Sequence, residues 1–97
     1  MAFKVPIVIR DDYTMLLELH DNLLWFHTDV RKWTPAIKKQ YITDLDVLQF
    51  LSNCYFYALI EDSNTKLQKF ARMIGFKQER PILGQDNKMY NIYGRSV

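Results

Sequence analysis

The spacing of apolar positions changes character along this chain. Val5, Ile7 and Ile9 alternate with other residues, which predicts a strand. Pro6 lies within that run and assigns it to a sheet edge, where a missing N–H is tolerated. Asp11-Asp12 predicts a turn. Met15, Leu17 and Leu19 then alternate as far as His20-Asp21-Asn22, a second turn signal. Leu24, Phe26 and Thr28 predict a third strand, so the first third reads as an antiparallel meander. A helix over 13–26 competes, because Met15-Leu16-Leu17-Glu18-Leu19 are good helix formers. The turn residues and the aromatic, β-branched stretch from Trp25 to Val30 favour strands.

From Thr34 the period lengthens. Thr34 is a cap, and Pro35 suits the first helical position, where an N–H has no partner to lose. Ile37, Tyr41, Leu45, Leu48 and Leu51 share one face, and Ser52-Asn53 ends the helix. Tyr55 to Ile60 is apolar on both faces, as expected of a central strand covered on two sides. Ser63 is placed to cap a second helix with a buried stripe of Leu67, Phe70, Ala71 and Ile74. Gly75 supplies a left-handed end, with Phe76 folding back. Residues 77–83 and 88–93 read as strands around a Gly84-Gln85-Asp86-Asn87 loop. Such an order requires crossovers, which are right-handed between parallel strands. The expected fold is α/β (α+β): one domain over 1–97, with a mixed, twisted sheet and two helices.

Composition narrows the partners. Thirteen basic and 11 acidic residues leave a net charge of +2, too weak to imply nucleic acid. No apolar stretch approaches the roughly 20 residues of a membrane helix. Nor does the N-terminus, acidic by Asp11-Asp12, read as a signal peptide, so a cytoplasmic location is expected. Cys54 is the one cysteine and is expected to be a small buried hydrophobe, with a reactive thiol as the alternative. His20 and His27 are the only histidines and make no metal signature with it. His20 falls in a turn. His27 is a weak general-base candidate, and spacing assigns it no carboxylate partner. Tyr55, Phe56 and Tyr57 read as core. Tyr13, Trp25 and Trp33 are either core or an exposed patch for a target protein or a second copy.

Several short patterns converge on one family. Arg31-Lys32-Trp33-Thr34-Pro35-Ala36 sits between a strand and a helix. It resembles the R/Q-x-x-G-x-G/A signature of the GNAT superfamily of acetyl-CoA-dependent N-acetyltransferases. Arg31 and Ala36 match; Thr34 replaces the middle glycine, and Pro35 removes an N–H. The resemblance implies a pyrophosphate-binding helix start, where backbone N–H groups hold an anion. It assigns Arg31, Lys32, Thr34, Ala36 and Asn64 to the cofactor; for Arg31 and Lys32 a solvated turn is the other reading. Asn64 and Gly75-Phe76 also match the family's last helix, but Ala71 stands where a tyrosine often protonates the departing thiolate. The first strand and first two helices of the family have no counterpart here. Residues 27–33 and 69–76 further resemble short GNAT-like proteins of tailed bacteriophages. Two functions follow as expectations. One is a non-catalytic phage-encoded protein, located in a bacterial host, that binds a protein partner or itself as a homodimer. The other is a minimal acetyltransferase using acetyl-CoA.

Overall fold

The computed structural model describes residues 3–96. The chain runs β1 (Lys4–Ile9), β2 (Tyr13–His20), β3 (Leu23–Val30), α1 (Pro35–Ser52), β4 (Phe56–Glu61), α2 (Thr65–Met73), β5 (Lys77–Leu83) and β6 (Met89–Arg95). The strands form one six-stranded sheet in the order β1-β2-β3-β4-β6-β5. Its mixed character is the one expected from the sequence. β1, β2 and β3 are antiparallel, β4 is parallel to β3, and β6 runs antiparallel between β4 and β5.

Local chemistry accounts for the element ends. Asp21 and Asn22 both take positive φ, which fits a two-residue turn to the twist of β2 and β3. Thr34 Oγ1 accepts from the Ile37 N–H at 3.1 Å, and Pro35 follows. Asn53 closes α1 with φ of 50°. Gly75, at φ of 98°, ends α2. Its N–H donates to Arg72 O, while the Phe76 N–H reaches back to Ala71 O. Those two bonds make a Schellman motif. The cap of α2 is Asn64, whose Oδ1 accepts from the Leu67 N–H, and not the expected Ser63.

Both crossovers, β3-α1-β4 and β4-α2-β5, advance in the same direction along the sheet. Right-handed crossovers of that kind put both helices on one face. The core is accordingly one-sided. Met15, Phe26, Phe56 and Tyr93 from the sheet meet Ile37, Tyr41, Leu45, Ala71 and Ile74 from the helices. The alternate residues, including Leu16, Trp25, His27, Tyr57, Leu59 and Ile92, point to the opposite face, which no helix of the described chain covers.

One-sidedness corrects several expectations. β4 is not covered on both faces: Phe56 is fully buried, while Tyr57 is partly exposed and Tyr55 is 38% exposed. Cys54 is exposed in the loop before β4. Leu51 is 76% exposed, because Gln49 takes the inner position at that end of α1. Gln49 Nε2 donates to Cys54 O at 3.1 Å, and its Oε1 accepts from Arg95 at 2.7 Å. Tyr13 is fully buried on the helix side, whereas Trp25 lies on the bare face. Trp33 packs edge-on against Tyr41 and Phe70. The three rings therefore do not form one patch.

Candidate functional site

β3 and β4 are hydrogen-bonded neighbours only at Leu24–Trp25 and Phe56–Tyr57. Beyond those residues the parallel strands part, and the gap is a cleft. On the helix side it is a cavity of about 510 Å³. Thr28, Val30, Arg31, Lys32 and Trp33 line one wall; Asn64, Lys66, Leu67 and Phe70 line the other. The starts of α1 and α2 flank its mouth, so two positive helix-dipole ends and several cations face the same space. A second cavity, about 280 Å³, shares Thr28, Leu67 and Phe70 with it and reaches Leu16, His27 and Leu59. The opening thus passes between the strands from the helix side to the bare face.

The structure brings Arg31, Lys32 and Asn64 onto this cleft. Thr34 and Ala36 stand at the adjoining start of α1 and are not among its lining residues. Most donors in this stretch are already engaged. Arg31 Nε donates to Asp11 O at 3.0 Å, and Nη1 to Asp29 at 2.8 Å. Nη2 donates to Arg10 O and to Thr14 Oγ1. The backbone N–H groups of Arg31 and Lys32 both go to Asp12 O, at 2.8 and 3.2 Å. Ile37 N–H is taken by the Thr34 side chain and Lys38 N–H by Thr34 O. Pro35 has none, which leaves Ala36 as the first-turn donor still free. Arg31 therefore clamps the β1–β2 turn to the end of β3.

Proton-transfer groups are sparse. Among the described lining residues of the two cavities, Thr28 carries the only hydroxyl. It donates to Thr14 O at 2.9 Å and accepts from Tyr41 Oη at 2.9 Å. Burial pushes that Tyr41 phenol up to about 12, partly offset by its bond to Thr28. Ala71 is buried against the inner cavity and offers no proton. On the far side, His27 Nε2 lies 2.7 Å from Glu18 Oε1. Glu18 stands opposite Trp25, which makes it the diagonal neighbour of His27 on the bare face. The sequence reading missed this carboxylate, although the Asp21-Asn22 turn fixes the register that reveals it. It also missed Lys66. No cluster of His, Cys, Asp or Glu that could hold a metal occurs among the described residues.

A further polar group ties α1 to the first two strands. Asp44 on α1 accepts from Arg10 Nε and from Tyr13 Oη, each at 2.6 Å. The Arg10 bonds hold the carboxyl below its ordinary range, against an opposing effect of burial. Burial, with Asp44 alongside, pushes the Tyr13 phenol up.

No known family profile matches this chain, and no curated protein does. A solved structure does: a Bordetella pertussis protein assigned provisionally to the GnaT family of acetyltransferases, with a TM-score of 0.69 and 16% identity. The match covers 88% of this chain and 57% of that one, so the chain spans little more than half of that protein's length. The fold is therefore GNAT-like, a mixed sheet with two helices and a cleft between its parted parallel strands. No helix of the described chain is long and apolar enough to cross a membrane.

Proposed function

We propose that this chain is a non-catalytic GNAT-like protein, phage-encoded, that acts by binding another protein on its bare sheet face. One observation carries the reading. The stretch that would cradle a pyrophosphate spends its donors on the chain itself: the Arg31 guanidinium and the Arg31 and Lys32 amides close onto the β1–β2 turn. Thr34 caps the helix internally, and Pro35 offers no donor. Anion binding at a helix start needs free, convergent N–H groups, and in this stretch only the Trp33, Thr34 and Ala36 amides are left without an internal bond. The helix start therefore has few backbone donors for the phosphates of coenzyme A, and Lys32 and Lys66 are the side-chain cations left to meet them. The bare face has the composition of a docking surface. Trp25, Tyr57 and Tyr55 form a continuous row, with ring centroids 5.5 and 4.9 Å apart. Large aromatic side chains dominate protein-binding hot spots.

A minimal N-acetyltransferase remains the second reading, favoured by the His27–Glu18 pair at the far mouth of the cleft. In that role a neutral His27, oriented by Glu18, would take the proton of an incoming amine. Thermal melting with acetyl-CoA at millimolar concentration separates the two. A ligand at 100 times its dissociation constant adds about 2.7 kcal/mol, equivalent to several degrees or more in a domain this small. The expected result is no shift. A saturable upward shift that disappears in Lys32→Ala or Lys66→Ala would overturn the non-catalytic reading.

A further inference from the structure

α1 carries two apolar stripes, and only one of them is used by the fold. Ile37, Tyr41, Leu45 and Leu48 face the sheet. Val47, Phe50 and Leu51, spaced three and four apart, make a second stripe on the outside. Phe50 is 73% exposed and Leu51 76%. Beside this stripe runs a groove of about 480 Å³, walled on its other side by Ile7 and Ile9 of β1 and floored by Val8 and Leu48. Ile9 is itself 73% exposed. Monomeric proteins rarely expose continuous apolar patches beyond a few hundred Å².

We infer that this groove and the ridge beside it join two copies of the chain. Three observations select a second copy over another partner. The patch offers a ridge, Phe50 and Leu51, next to a groove, so a two-fold axis near Val47 would set each ridge into the other's groove. That self-complementarity is what an isologous interface requires. The charges lining the groove are those of Arg10 and Asp44, which pair with each other at 2.6 Å. A charged partner finds nothing unpaired there to read. Finally, Ile7, Ile9, Val47, Phe50 and Leu51 expose on the order of 100 Å² apiece, and with their rim approach the roughly 800 Å² that each partner of a standard interface buries.

The contact is side-chain packing and not strand addition. Pro6 and the irregularity between Pro6 and Val8 spoil β1 as a template for a further strand. The inference rests on neither reading of the cleft, and it leaves the bare sheet face free.

Light scattering after size exclusion, at concentrations of about 1 and 100 µM, tests it. Twice the monomer mass is expected at the higher concentration. Leu51→Glu and Ile9→Lys should each weaken the dimer by on the order of 100-fold, because a charge would be buried in an apolar contact. Both positions are exposed in the single chain, so both variants should keep the native circular dichroism spectrum. A monomer at both concentrations overturns the inference. So does a dimer that survives both substitutions, or one that dissociates only in Trp25→Ala, which would assign the contact to the bare face.

Discussion

The two faces of the sheet are made from alternate residues of the same strands, yet they are built differently. On the helix side, polar groups are fastened into networks. Gln68 accepts from Tyr93 at 2.8 Å and donates to Asp62 O at 2.8 Å, and Arg95 is held by Ile74 O, Gln49 and Asp46. On the bare side, rings touch at tilted angles of 41° and 55° and one His–Glu pair stands partly exposed. The helix face holds the fold together, because burial there has no alternative partner. The bare face keeps large apolar area in contact with water, which costs free energy unless something covers it. Adjacent residues of a single strand can therefore have unrelated jobs, and substitutions should separate them.

Phe56 and Tyr57 give the largest contrast. Phe56 is fully buried and stacks on Phe26 with centroids 6.1 Å apart. Phe56→Ala should destabilise the domain by about 3–5 kcal/mol, the usual cost of deleting a buried ring. Tyr57→Ala, one residue along on the bare face, should cost clearly less. Urea denaturation of both variants checks this. Equal losses would mean that the bare face is as much a core as the other.

The glycines sharpen the comparison at a smaller scale. Gly75 lies on the helix side at φ of 98°, and an added Cβ would come to 3.0 Å from Arg95 Nε. Gly75→Val should cost about 2–3 kcal/mol, combining resistance of a β-branched residue to positive φ with loss of the Arg95–Ile74 bond. Gly94 lies on the bare side. There a Cβ would collide with the Tyr55 ring and with Glu79, whose carboxylate accepts from the Tyr55 hydroxyl across it. Tyr55 is on the surface and free to swing away, so Gly94→Ala should cost less than Gly75→Val. Denaturation midpoints in the opposite order would mean that the Tyr55–Glu79 cover is a structural clasp.

Much of this architecture was legible in the residues. Period-two spacing located β1 to β3, and Thr34-Pro35 and Gly75 marked helix ends, because these are local effects decided within a few residues. Coverage was not legible. The run from Tyr55 to Ile60 reads as buried on both sides, but the handedness of two crossovers leaves one side open. Leu51 fits the helical stripe by spacing alone; Gln49 displaces it through bonds to Cys54 and Arg95, the latter 46 residues away. At the cleft, Arg31, Lys32 and Asn64, grouped by the motif although they are distant in sequence, line one cavity. What the motif could not convey is that Arg31 turns toward the β1–β2 turn. That depends on where carbonyls of Arg10 and Asp11 end up.

The smallest expected effect is also the one most specific to the bare face. Trp25 touches Tyr57, and its Nε1 makes only a long 3.4 Å contact to His20 O. Trp33, by contrast, is wedged between Tyr41 and Phe70. Trp25→Ala should therefore change stability by about 1 kcal/mol, the scale of one aromatic pair at a half-buried position off the core. Trp33→Ala should cost more. The two indoles are the only ones in the chain, so fluorescence can follow each in the variant lacking the other. Both indoles are half-buried; with Trp33→Phe, iodide reports on Trp25 alone, and with Trp25→Phe on Trp33, which packs against the core and should be quenched less. If Trp25 proves as shielded as Trp33 in a monomer, the bare face is closed by its own side chains, and it has no ring to offer a partner. If quenching of Trp25 is strong in the free protein and falls when a protein target is added, the loss maps the contact to this face. The same titration with Trp33 alone should stay flat, because Trp33 lies at the cleft beside Tyr41 and Phe70, away from the bare face.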